Sequence, residues 1–157
     1  MSFVPILRRG IAACLAPLLL GAAGLADAAE LSGIAVIVTP GYPIRDLDKH
    51  ELALIFKRKK RLWPDGRRIA PVNLPAGQNI RRAFSVAVLG HTPEEMDDYW
   101  RDQYFHGELP PFVASSEEAV IRLIATTPGA IGYVPVCLAD KRVNVVLTID
   151  DGLPCPR

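Results

Sequence analysis

The apolar positions change period several times along this chain, and each change marks an element. Gly33-Ile34-Ala35-Val36-Ile37-Val38 is an unbroken β-branched run, the pattern of a central strand buried on both faces. It stops at Thr39-Pro40-Gly41-Tyr42-Pro43, a rigid turn. Asp48 then reads as a helix N-cap with Glu51 at the third position of a capping box, and Leu47 is placed to staple onto Leu52. Leu52, Ile55 and Phe56 form that helix's apolar face. A strand is predicted over Ile69 to Asn73, followed by a turn through Pro75 and Gly77 into a second helix. There Ile80, Ala83, Phe84, Ala87 and Val88 recur at helical spacing until Gly90 ends it.

Two further capping boxes follow, Thr92-Pro93-Glu94-Glu95 and Ser115-Ser116-Glu117-Glu118. The first opens a helix with Met96, Tyr99, Trp100 and Gln103 on one face, and Tyr99, Trp100, Tyr104 and Phe105 read as packing residues rather than a ligand box. After a loop at Gly107 to Pro111, the second opens a helix with Val120, Leu123 and Ile124 inward. Thr127-Pro128-Gly129 turns the chain into a strand at Ala130 to Val134, with Gly132 where the backbone must pass closely, and Val143 to Ile149 is the last strand. This alternation predicts an α/β fold, a mixed and mostly parallel sheet flanked by helices.

The first 28 residues stand apart. Arg8 and Arg9 precede an apolar run from Ile11 to Leu25, and Ala26-Asp27-Ala28 supplies a small-x-small cleavage site, so Met1 to about Ala28 reads as a secretory signal peptide. A retained anchor is the alternative, though Pro17, Gly21 and Gly24 break a run already short for a bilayer. Ile11-Ala12-Ala13-Cys14 resembles a lipoprotein cleavage site, but most of the apolar run lies after Cys14 rather than before it. Residues 29–157 are then one domain, expected in the periplasm.

Cleavage removes Arg8, Arg9 and Asp27 and takes the formal charge from +1 to 0, which leaves no global basic field for nucleic acid. It also removes Cys14. The remaining Cys137 and Cys155 are an even pair in an oxidising compartment, expected to bridge, with two unpaired thiols as the alternative.

Two stretches carry candidate chemistry. The first runs from Pro71 to Phe84, where a strand feeds a turn and a helix start. That geometry aims backbone N–H groups at an anion, so Gly77, Gln78, Asn79, Arg81 and Arg82 are the candidate anion-binding residues. The simpler alternative has Asn79 as an N-cap and both arginines solvated. The second is Lys57-Arg58-Lys59-Lys60-Arg61, the densest charge run. It reads either as a solvated helix C-terminus or as a contact for a membrane protein or an anionic surface. Catalysis and metal binding draw no support. His50, His91 and His106 are scattered without ligand spacing, Ser85 lacks a nucleophile elbow, the cysteines lack redox spacing, and no cofactor is expected. Glu94, Glu95, Asp97 and Asp98 read as a solvated acidic face.

Leu52-Ala53-Leu54-Ile55-Phe56-Lys57, Trp63-Pro64-Asp65-Gly66, the strand-turn-helix and Thr127-Pro128-Gly129-Ala130-Ile131-Gly132-Tyr133-Val134 together resemble the phosphate-type substrate-binding proteins of ABC transporters. The resemblance covers nearly the whole chain after the signal. It implies a single lobe of a type II periplasmic-binding-protein-like fold and a non-enzymatic role related to phosphate or oxyanion uptake. In the family, the corresponding lobe holds phosphate through an Arg-x-Asp-Gly-Ser-Gly-Thr loop. Aligned on Gly77 and Phe84, this chain carries Leu74, Ala76, Gln78, Asn79 and Ile80 at the remaining positions, so the charged and hydroxyl ligands are replaced. The expectation is weak oxyanion binding at most, with an interaction or sensing module as the alternative.

Overall fold

A computed structural model of the chain describes residues 33–44, 47–150 and Cys155. The signal-peptide reading of Met1 to Ala28 lies outside these residues. The elements, in chain order, are β1 (Ile34–Val38), α1 (Lys49–Phe56), β2 (Ala70–Asn73), α2 (Asn79–Phe84), α3 (Asp97–Phe105), β3 (Phe112–Val113), α4 (Glu117–Thr126), β4 (Ala130–Pro135) and β5 (Asn144–Ile149). A π-helical turn, Ser85–Leu89, continues α2 without a break, and a single 3₁₀ turn follows β4.

The strands form one sheet in the order β3-β2-β4-β1-β5. β2 pairs parallel with both β3 and β4, whereas β1 pairs antiparallel with β4 and β5. Four strands therefore run one way and β1 alone runs against them, so the sheet is mixed, with two parallel and two antiparallel pairings. β1 is buried at every residue. It has strands on both edges and helices over both faces, which is why its sequence is apolar without alternation.

Alternate residues of β4 divide the two layers. Tyr133 faces α1 and α2, where its ring stacks on Phe84 at 3.8 Å between centroids and Phe56 closes on both. Gly132 faces α4: a Cβ there would lie 2.9 Å from Val120 Cγ1 and 3.3 Å from Ile124 Cδ1. Glycine at this position lets α4 lie directly on the strand, as the sequence pattern required.

Asp48 caps α1 as predicted, its Oδ1 accepting from the Glu51 amide at 2.7 Å. The other two expectations are corrected: α4 is capped by Ser116, one residue after Ser115, with its Oγ accepting from the Ala119 amide at 3.2 Å, and Thr92 and Glu95 bond reciprocally around a turn while α3 begins only at Asp97, with no side-chain cap. Gly90 ends the α2 segment in the left-handed conformation, φ 75°. One aromatic expectation is corrected. Tyr99 and Trp100 pack against the core, but Tyr104 and Phe105, at the last turn of α3, are exposed.

Cys137 and Cys155 are joined in a disulfide across 18 positions. It ties the chain end to the turn after β4. Cys155→Ser, or reduction, is expected to cost about 3 kcal/mol by freeing the unfolded chain, measured by urea unfolding with and without reductant.

Candidate functional site

β2 ends at Asn73 and the chain turns through Leu74 to Gly77, closed by a hydrogen bond from the Gln78 amide to the Pro75 carbonyl at 3.0 Å. The N-cap of α2 is Gln78, not Asn79, and its side chain makes no capping bond. The shift follows from the turn: Gln78 keeps extended backbone angles, φ −80° and ψ 138°, so Asn79 is already the first helical residue. Among the described residues the amides of Asn79, Ile80 and Arg81 have no acceptor, the usual state of an uncapped helix start. Gly77 has nothing within 4 Å of where a Cβ would stand.

The side chains expected around this turn are dispersed. Leu74 and Ile80 are buried in the core. Arg82 reaches away to Glu94, Nη2 to Oε1 at 2.7 Å, on the surface. Arg81 is not solvated at all: it is 7% exposed, and its Nη1 donates to Asn73 Oδ1 at 2.8 Å. The same oxygen accepts from the Tyr133 hydroxyl at 3.2 Å, and that hydroxyl lies 3.4 Å from the Leu74 amide, which donates to it. No carboxylate lies within ion-pairing distance of Arg81 among the described residues. Asn73 is therefore the central acceptor of a buried polar cluster beneath the turn. Sequence reading missed this cluster, although Arg81 shares the buried helical stripe with Phe84 and Val88, three and seven positions on.

Burial pushes the Tyr133 hydroxyl up to about 12, with the Arg81 charge working in the opposite direction. Burial and Asp65 likewise push Tyr42 up to about 12. Both folded values lie above the ordinary 10.0, so this stability is complete below about pH 10 and is lost as pH rises toward 12. Alkaline unfolding is expected in that window, and Tyr133→Phe should shrink the loss, followed by circular dichroism and phenolate absorbance together.

The basic run follows the C-terminus of α1 and is half-buried to exposed, with most of its charges engaged. α1 stops at Phe56, and Lys57 to Lys59 wind into a Schellman turn, with the Arg58 amide bonded to Ile55 O at 3.0 Å and the Lys59 amide to Leu54 O at 2.8 Å. Arg58 holds the left-handed position of that turn, φ 60°. Its Nη1 donates to Ile69 O at 3.3 Å, Lys59 bonds Gln103 at 3.1 Å, Lys60 pairs with Glu51, and Arg61 pairs with Glu108 at 2.6 Å. Much of the charge is thus tied to the protein's own carboxylates and carbonyls. The Lys57 side chain has no partner among the described residues.

The three histidines lie on separate elements, and no group of three or more His, Cys, Asp or Glu is arranged to hold a metal among the described residues. No described helix is long and apolar enough to cross a membrane.

The fold is of the periplasmic-binding-protein-like class, and the chain covers about half of the solved members it matches. In sequence, the chain is related to the phosphate-type substrate-binding proteins, of which it spans less than half. The phosphate-binding protein PstS of Bacillus subtilis (strain 168) is 31% identical over 128 residues, which cover 78% of this chain and 37% of that protein. A Clostridium perfringens protein assigned as a phosphate ABC transporter substrate-binding protein, solved with bound phosphate, superposes with a TM-score of 0.60 at 24% identity, over 74% of this chain and 46% of that one. An ABC-type phosphate transport receptor from Vibrio cholerae gives 0.59 at 21% identity, over 74% and 47%. No protein-family model matches the chain.

Proposed function

We propose that this chain is an exported, non-enzymatic binding module, built as one lobe of a phosphate-type substrate-binding protein, whose helix start at Gly77 holds oxyanions only weakly. The observation that carries this reading is the divided state of the turn: three backbone N–H groups stand without acceptors, while the neighbouring arginines are engaged by Asn73 and Glu94. An uncapped helix start contributes about 0.3–2 kcal/mol to an anion, and a charge-assisted bond from Arg82, released from Glu94, about 1.5–3 more. A millimolar Kd requires about 4 kcal/mol. Binding at millimolar strength or weaker follows, because Leu74 and Ile80 have gone into the core instead of the site. Gly77, which has open space where a side chain would stand, leaves the backbone free for close approach by a ligand.

The names of the relatives, phosphate-binding protein and transport receptor, support a binding rather than a catalytic role. Export rests on the signal-like first 28 residues and suits the Cys137–Cys155 bridge. Isothermal titration of the domain spanning 29–157 with phosphate, sulfate and polyphosphate tests the reading. Heat saturating at millimolar ligand is expected, and no heat at that concentration would overturn it.

A second reading, docking on a membrane protein or anionic surface, is favoured by the unpaired Lys57 side chain and by the exposed Phe105 and Phe112. Reversing the charges from Lys57 to Arg61 should then release the protein from anionic vesicles. Unchanged retention would count against it.

A further inference from the structure

Between the turn after α1, the residues leading into β2 and the loop after α3 lies an open cleft of about 530 Å³. Arg58, Arg61 and Arg68 line it, with Glu108 as the one carboxylate on its wall. We propose that this cleft binds a phosphomonoester, an anionic phosphate head on an apolar organic body. The site is separate from the Gly77 turn, and the proposal does not rest on the reading given above.

Charge sets the head group. Glu108 neutralises Arg61, at 2.6 Å, and lies 3.9 Å from Arg58 Nε, beyond hydrogen-bonding distance. That Nε is buried with no acceptor, and the Arg68 side chain has no partner among the described residues. Three cations against one carboxylate leave two positive charges, which match the dianionic phosphate of a monoester better than a single carboxylate. Guanidinium groups present paired N–H donors in the geometry that phosphate oxygens accept.

Shape sets the rest of the ligand. The volume falls in the range of small-molecule pockets and is far more than a bare oxyanion fills. Leu62 and Leu109, both more than half exposed, supply apolar walls beside the arginines. The backbone adds an independent observation. Arg58 is the only non-glycine residue with positive φ among the described residues, at a helix C-terminal position where glycine is favoured. The chain accepts strain there and in return directs a guanidinium into the cleft.

The test is an amide-resolved NMR titration with phenyl phosphate, with inorganic phosphate and benzoate as comparison probes. Shifts at residues 58–62, 68 and 107–109 are expected, with phenyl phosphate at least fivefold tighter than either comparison probe. Arg68→Gln should weaken phenyl phosphate at least tenfold. Arg58→Gly should do the same, and glycine's fit to the left-handed turn offsets the lost bond to Ile69 O, so the variant stays folded. Shifts confined to residues 75–81, or equal affinity in both variants and the parent, would overturn the proposal. The Gly77 reading is judged separately, from inorganic phosphate at the amides of Asn79 to Arg81.

Discussion

Gly129→Ala should cost this protein about 3 kcal/mol or more, close to the limit of what a small domain tolerates. Gly129 sits in the turn before β4 with φ 83°, a conformation that already disfavours a side chain. A Cβ there would lie 2.4 Å from the carbonyl oxygen of Arg68, which is backbone and cannot rotate away. The same turn cannot move, because the Gly129 carbonyl accepts from Trp63 Nε1 at 3.0 Å and from the Ala70 amide at 3.1 Å. Strain and overlap therefore add. Gly66→Ala is the control. Its φ is also 83°, but nothing stands within 4 Å of the added atom, so only the conformational cost of about 1–2 kcal/mol remains. Urea unfolding of both variants should separate them by well over 1 kcal/mol, and equal losses would show that the close approach at Gly129 does not matter.

The second large effect is expected at Asn73. Asn73→Leu keeps the volume but removes the only acceptor bonded to Arg81 among the described residues, and it leaves the Tyr133 hydroxyl without one too. Stranding a buried cation costs about 3–5 kcal/mol. Arg81→Met alone should cost less, since it removes the charge along with its bond. The double variant Asn73→Leu/Arg81→Met should be more stable than Asn73→Leu by itself, a coupling visible in a double-mutant cycle. A double variant as unstable as the sum of the two single ones would mean that the pair does not interact as the geometry indicates.

Much of this fold is written in local signals. The unbroken apolar run of β1, the cap at Asp48 and the stop at Gly90 depend on neighbours in sequence, and they are found where the pattern places them, whereas the starts of α3 and α4 lie further along than their capping boxes predicted. What escaped is set by contacts between distant segments. β3 is only two residues long and exists because Phe112 and Val113 lie against β2, which no local pattern announces. The start of α2 moved by one residue because Gln78 stays extended in the turn.

The candidate site was legible as a scaffold and not as a set of side chains. A strand, a turn through Gly77 and a helix follow in the predicted order, but Arg81, read as a cation for the ligand, is buried and bonded to Asn73. In the same way, the run from Lys57 to Arg61 looked free because Glu51, Gln103 and Glu108 are brought to it only by tertiary packing.

The central claim is that the backbone of an oxyanion site persists here without its side-chain ligands. Titration of inorganic phosphate into the isotopically labelled domain, read at the amides of Asn79, Ile80 and Arg81, tests it most directly. The account predicts shifts at these three amides that saturate in the millimolar range. Saturation at micromolar phosphate, or no shift at these amides at tens of millimolar, would contradict it.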